Sequence, residues 1–429
     1  MRHLPEHLFV ALGANAALLS GSDAAPFQEA RQPRCRQTDV VILGAGVAGI
    51  TAAQTLSNNS ITNFLILERN DRIGGRVQSV PFGKRPGKDG KPYIVELGAN
   101  WIQGLGSEGG PENPIWTLAK QYGIANKYSN FSNLHTFTEW GPTDFGNRSK
   151  RLEAAFKVAG QHAGRLLTDN LQDTSLRAAL ALRRWRPGPT ADPIGQALEW
   201  FLWDFETAFP PDESSLKFGI AGYNLTFNQF SNENNFVFDQ RRFSAMVEGQ
   251  AASFLTPRDP RLLLNSTVAD IAYTPQGIVI SIDGGGCVEA RFAVCTFSVG
   301  VLQSEIVAFS PPLPRWKAEA VAQFPMGTYT KIFMQFDEPF WDPDVEFFLY
   351  ADPTTRGYFP LFQSMSAPGF LEGSNILFVT IVGAQSYTIE QQTEEVTKAE
   401  ILDVLRGMFP HKKIPEPTAF MYPRWSKEE

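Results

Sequence analysis

A chain of 429 residues, 43% hydrophobic and 19% charged, is long enough for two or three domains and too apolar to be disordered. Its net charge of −7 comes with no basic block, which excludes a nucleic-acid-binding surface of the usual kind. No apolar run reaches the length of a membrane span, which leaves small molecules as the expected partners.

The N-terminus carries Arg2 and His3, then the apolar stretch "LFVALGANAALLSG", then Ser22-Asp23-Ala24, a small-x-Ala cleavage pattern. Residues 1–24 are therefore expected to be a secretory signal peptide. Asn-x-Ser/Thr sequons at Asn58, Asn130, Asn147, Asn224 and Asn265 suit an extracellular, N-glycosylated product. The three cysteines, Cys35, Cys287 and Cys295, show neither metal-site spacing nor a disulfide framework. Cys287 and Cys295 fall in one expected strand and cannot pair without a bend.

Residues 38–68 read as a βαβ unit. "DVVIL" is an apolar run suited to a central parallel strand, "VAGITAAQTL" has helical periodicity ended by "SNNS", and "FLILE" is the second strand. The turn between the first two is Gly44-x-Gly46-x-x-Gly49. That motif is weak alone, but a strand before it and a helix after it are its confirming context. Gly44 allows the tight turn, Gly46 lets backbone approach a pyrophosphate, and Gly49 packs helix on strand. The helix N-terminus offers free N–H groups near Ala45, Gly46 and Ala48. Glu68, 19 residues past Gly49, stands where an acidic side chain binds ribose hydroxyls. In "RIGGRVQSV", the Gly74-Gly75 pair permits an unusual backbone path and Arg76 offers a second, bidentate phosphate contact. "VPFGKRPGKDGKP", residues 80–92, reads as an exposed loop. "ELGANWIQG", residues 96–104, is a third glycine-bearing segment.

Helical patterns fill residues 150–205, and "DPIGQALEWFLWDFE" opens with an Asp-Pro start signal. Residues 262–299 return to strands, with turns at "TPQG" and "DGGG". A helix over 312–325 precedes the strand "GTYTKIFMQF", and a long helix spans 393–409. In that strand Tyr329, Lys331, Phe333 and Gln335 share one face, and Thr330, Ile332, Met334 and Phe336 the other. Both faces are mostly apolar, so a lysine there is an oddity unless it snorkels from a sheet edge.

Taken together, the glycine turn, Glu68, "RIGGR" and "ELGANW" resemble the flavin-dependent amine oxidases, nearest to the secreted polyamine oxidases of plants and fungi. The resemblance continues through "NPIW", "FVFDQRRF", "SVGVLQS", "YTKIF" and "IEQQTEEVTKAEI", covering about residues 38–425. It implies an α/β protein: a Rossmann-like FAD-binding domain assembled from discontinuous segments, 37–112 and 224–312, plus a mixed-sheet and helix substrate domain, 113–223 and 313–429. FAD is held non-covalently. Gly44, Ala45, Gly46, Ala48, Gly49, Glu68, Gly75, Arg76 and Val268 match its adenosine and pyrophosphate side. Gly98, Asn100 and Trp101 match positions near the isoalloxazine. Lys331 resembles the family's active-site lysine, which holds a water beside flavin N5. The implied reaction moves a hydride from the carbon beside an amine nitrogen to the flavin; water hydrolyses the imine, and dioxygen reoxidises the flavin to give hydrogen peroxide. The implied partners are a small-molecule amine and dioxygen, acting on a monomer.

Glu206 in "WDFETAF" resembles a substrate-tunnel glutamate, with a solvated helix face as the plainer alternative. Gln103 departs from the pattern, since the plant enzymes carry a second glutamate there, and this opens an alternative preference for monoamines or amino acids. Tyr329, Phe201, Trp203 and Phe205 suit either a tunnel wall or a core. The family also continues beyond "YPRW" into a segment with a Gly-Glu pair that returns to the FAD domain; here "YPRWSKEE" ends at Glu429. A catalytically inactive, truncated remnant is accordingly a rival expectation.

Overall fold

The computed structural model describes residues 35–87, 89–188, 190–227 and 229–428. The signal-peptide expectation lies outside them. The protein is mixed α/β, and its contacts divide it into two units: Met1–Gly75 with Gln250–Phe324, and Arg76–Gly249 with Pro325–Glu429.

The first unit is a seven-stranded sheet built from two distant stretches of chain. The strand Arg36–Leu43 is central, parallel to Phe64–Leu67 on one side and to Cys287–Cys295 on the other. Its residues Val41, Ile42 and Leu43 are fully buried, as an apolar run in a two-sided parallel sheet requires. Beyond Cys287–Cys295 the sheet turns antiparallel through Gly277–Ile282 and Val268–Thr274, the expected meander.

The parallel register overturns one expectation. Arg36 sits opposite Val288, which sets Cys35 beside Cys287, and the two form a disulfide across 252 residues with Cα atoms 4.6 Å apart. Spacing along the chain could not reveal this pair, because only sheet pairing brings the two strands together. Cys295, in the same strand as Cys287, is a free, exposed thiol.

In the second unit, a seven-stranded sheet carries the queried lysine. Its strand, Tyr329–Gln335, lies between Ile376–Val382 and Ala419–Met421, both antiparallel to it. It is thus not an edge strand. Ile332, Met334 and Phe336 enter one core, among Phe340, Trp341 and Phe348. Phe333, on the other face, enters a second core with Phe82, Phe236 and Phe378. The period-2 reading of both faces as buried therefore holds, and Lys331 is trapped between.

The stretch expected as loop at 80–92 is a hairpin. Ser79–Phe82 pairs antiparallel with Tyr93–Glu96, and only the intervening Gly/Lys/Pro-rich residues form the loop. The expected helices stand at Gly146–Thr168, Leu176–Leu182, Pro193–Glu199, Arg315–Gln323 and Glu394–Met408. Each of the middle pair begins on a side-chain cap, Ser175 accepting from Ala178 and Asp192 from Gly195.

Candidate active site

The first unit supplies a phosphate-type cradle. Gly44 has φ +102, a backbone only glycine adopts cheaply, and a Cβ at Gly49 would lie 1.9 Å from the Gly44 carbonyl oxygen. The helix Val47–Asn58 starts at Gly46 with no side-chain cap, so its first N–H groups are left to an outside acceptor. A Cβ at Gly46 would meet nothing within 4 Å, so that side of the turn is open. Gly74 and Gly75, at φ +102 and +57, bring the next segment against Gly46, where the Gly75 Cβ position lies 3.3 Å from its Cα.

Glu68 is buried and braces this turn. Its Oε2 accepts the Ala45 N–H at 2.7 Å, and its Oε1 accepts the backbone and side-chain N–H groups of Asn70. Ala45, expected as a phosphate donor, thus spends its N–H on Glu68. A carboxylate offers about four acceptor positions, so Glu68 retains capacity for ribose hydroxyls. Val268 is buried at the start of its strand. Uncapped donors, an open glycine and a ribose-type acid are the donor set that a dinucleotide needs, and FAD fits this cradle.

The second unit holds the residues suited to amine chemistry. Lys331 is 1% exposed, and its Nζ donates to the Gly98 carbonyl and to Asn100 Oδ1, each at 2.8 Å. Asn100 is fixed in turn: its Nδ2 donates to the Val237 carbonyl and its own carbonyl accepts the Val237 N–H, both at 2.8 Å. Gly98 must be glycine, because a Cβ there would lie 1.7 Å from the Arg76 carbonyl. Arg76 itself is exposed. The Trp101 ring lies 5.8 Å from Lys331 Nζ and stacks edge-on against Phe236 and Phe205, while its buried indole N–H has no partner among the described residues. Burial pushes the Lys331 amine well below the ordinary lysine value, and the Glu96 carboxylate partly offsets this.

Glu206 is aimed by an unusual helix. Pro193–Glu199 runs into a π-helical stretch, Trp200–Asp204, before the short turn Phe205–Thr207 ends at left-handed Ala208. Two buried acids flank the π-helical stretch. Glu199 is bound by Arg177, Arg356 and the Trp185 indole N–H, and Asp204 by Arg356. Without those guanidinium groups both charges would be uncompensated. Trp200, Trp203 and Phe205 are buried core, whereas Phe201 is only partly so. Glu206 remains partly accessible although its surroundings are dense; desolvation raises its carboxyl to about 7. Gln103 Nε2 lies 3.5 Å from Glu206 Oε2, at the outer limit of a hydrogen bond. Tyr329 packs 6.0 Å from the Phe205 ring, and burial together with the Glu206 charge pushes its hydroxyl up.

The structure thus brings Lys331, Gly98, Asn100 and Trp101 together, and Glu206, Gln103 and Tyr329 together. Glu96 and the Glu199–Arg356–Asp204 network were not singled out in the sequence. Glu96 had one signal, an acid closing the apolar run "YIV" ahead of the Gly98 turn.

A glycine-turn dinucleotide cradle on one unit and a buried lysine with an aromatic neighbour on the other are features of an FAD-dependent amine oxidase. The chain matches the family described as flavin containing amine oxidoreductase over residues 47–429, and it belongs to that family. It is 37% identical over 404 residues to polyamine oxidase 1 of Zea mays, covering 90% of this chain and 77% of that protein. To polyamine oxidase 7 of Oryza sativa subsp. japonica it is 35% identical over 400 residues, covering 90% and 81%. A solved structure of putrescine oxidase bound to putrescine superposes with a TM-score of 0.66 at 18% identity, over 92% of this chain and 86% of that one, which shows the shared fold. The cofactor is non-covalently bound FAD. Among the described residues, no helix is long and apolar enough to cross a membrane.

Proposed function

We propose that the chain oxidises polyamines or closely related amines outside the cell, with dioxygen as the final acceptor. The balanced reaction consumes amine, dioxygen and water and yields an aldehyde, a shorter amine and hydrogen peroxide. The observation that carries this reading is Lys331: a lysine 1% exposed, kept from full charge by burial and anchored by two oxygen acceptors. FAD supplies the two-electron acceptor when bound.

The protein's own residues then have separable roles. Glu206 provides the negative charge that attracts a cationic amine, and Trp101, Phe205 and Tyr329 provide aromatic faces for its methylene and ammonium groups. Lys331 positions water and moves protons at the reacting amine. An extracellular setting is supported by the Cys35–Cys287 disulfide, which reducing compartments disfavour. The exposure of all five sequon asparagines, Asn58, Asn130, Asn147, Asn224 and Asn265, supports it further.

A second reading, an oxidase of monoamines, is favoured by Gln103, which leaves Glu206 as the acid of its pair. The test is amine-dependent peroxide release by FAD-loaded protein offered spermine, spermidine, their acetyl forms and a monoamine. Turnover favouring the polyamines supports the first reading, preference for the monoamine supports the second, and no peroxide with any amine removes both.

A further inference from the structure

Glu96 is a buried ionisable group to which the roles above give no task. Its carboxylate is 3% exposed; Oε1 accepts the Phe243 N–H at 2.7 Å, whereas Oε2 is buried with no hydrogen-bond partner among the described residues. An orphaned carboxylate oxygen is costly inside a protein, and its retention asks for a reason. The segment around it supplies one. Gly98 and Asn100, two and four residues further on, give the two oxygens that hold Lys331 Nζ. A charged lysine has three N–H groups, so these two bonds leave one over.

The loop that serves Glu96 is itself strained. Arg242 has φ +88, a left-handed backbone that is unfavourable for a side-chain-bearing residue, and the N–H bonded to Glu96 belongs to the next residue, Phe243. Other charges acting on the carboxylate come from the same loop: Arg242 favours its ionisation and Asp239 opposes it. Arg242 is exposed and Asp239 is already bound by Arg241. Lys331 is influenced by no other charged group than Glu96 among those resolved for it.

We propose that Glu96 is the positioning residue for the Lys331 proton. The buried pair holds one exchangeable proton, resident either on Lys331 Nζ as ammonium facing carboxylate or on Glu96 Oε2 as carboxylic acid facing neutral amine. The step conserves charge: one N–H bond breaks as one O–H bond forms, with no net charge gained or lost by the interior. Burial favours the neutral pair and mutual attraction the charged one, so a small perturbation at the amine site moves the proton. This inference rests on the reading of Lys331 as the amine-site lysine.

The test is the pH titration of the FAD-loaded protein labelled with 13C at lysine Cε, the Lys331 signal being identified by its loss in Lys331→Met. Glu96→Gln is expected to shift the Lys331 midpoint downward by about one pH unit or more, because a favourable charge is lost. The acid limb of the pH profile for amine oxidation should move with it. Glu96→Asp, which keeps the charge but withdraws it by one methylene, is expected to shift the midpoint the same way by less, and it serves if the Gln variant does not fold. An unchanged Lys331 titration in either folded variant overturns the proposal. Because the titration needs no turnover, a protein that shows the coupling but oxidises no amine overturns the functional reading instead.

Discussion

Lys331 and Asn100 are joined at 2.8 Å, ammonium to amide oxygen, and Asn100 is itself clamped to Val237 by two further bonds of the same length. Replacing Asn100 with Leu would leave a buried lysine hydrogen and the Val237 carbonyl without partners. Each such orphan costs about 1–3 kcal/mol. Asn100→Leu is therefore expected to lower the urea midpoint, whereas Asn100→Asp, which adds a carboxylate beside the ammonium, should raise the Lys331 pKa. Urea unfolding and lysine NMR check the two parts.

Lys331→Met removes the amine while nearly filling its volume. Amine oxidation should fall by about 10²–10⁴-fold, the usual range for a group handling protons. FAD content, read from flavin absorbance, should be retained, since Lys331 belongs to no part of the phosphate cradle. Full peroxide release by the variant would remove Lys331 from the chemistry.

Glu206 has its carboxyl raised from 4.5 to about 7 by desolvation. Since the folded value lies above the unfolded one, its contribution to stability is fully present below pH 4.5 and is lost as pH rises through 7. Affinity runs the opposite way: below pH 7 the site loses its charge and KM for a polyamine should rise. Glu206→Gln should raise KM at pH 8 and flatten this dependence. A KM–pH profile identical to wild type would return Glu206 to a solvated-face role.

Gln103→Glu restores a second acid beside Glu206. An added charge attraction in a partly desolvated site is worth about 1–4 kcal/mol at 4 Å, so KM for spermine should fall by about tenfold or more, with little change for a monoamine. Steady-state kinetics on both substrates decide it.

The Cys35–Cys287 bond closes a very long loop. Cys35→Ser is expected to cost about 2–5 kcal/mol of stability, seen as a lower urea midpoint. Native protein should titrate as a single thiol, Cys295.

Much of the fold was legible because it was local or periodic. The βαβ unit showed in the switch from "DVVIL" to "VAGITAAQTL", and the double-sided apolar pattern of Tyr329–Gln335 marked its strand as buried. What escaped depended on partners distant in sequence. Cys35 meets Cys287 through sheet register, and Ala45 loses its free N–H to Glu68 through a turn whose direction the motif does not specify. Likewise, Asp204 and Glu199 read as ordinary helix acids until Arg356, more than 150 residues on, is folded against them.

The π-helical stretch Trp200–Asp204 carries a consequence for insertions and deletions. Such a turn accommodates one residue more than α-helical geometry does, and each α-helical residue advances about 100°. Loss of a single residue there would restore the ordinary register and rotate Glu206 by about that angle, away from Gln103. The substrate acid is thus specified by the length of the segment as much as by its own identity. A descendant of this chain could keep every named side chain and still lose its amine site to a three-nucleotide gap.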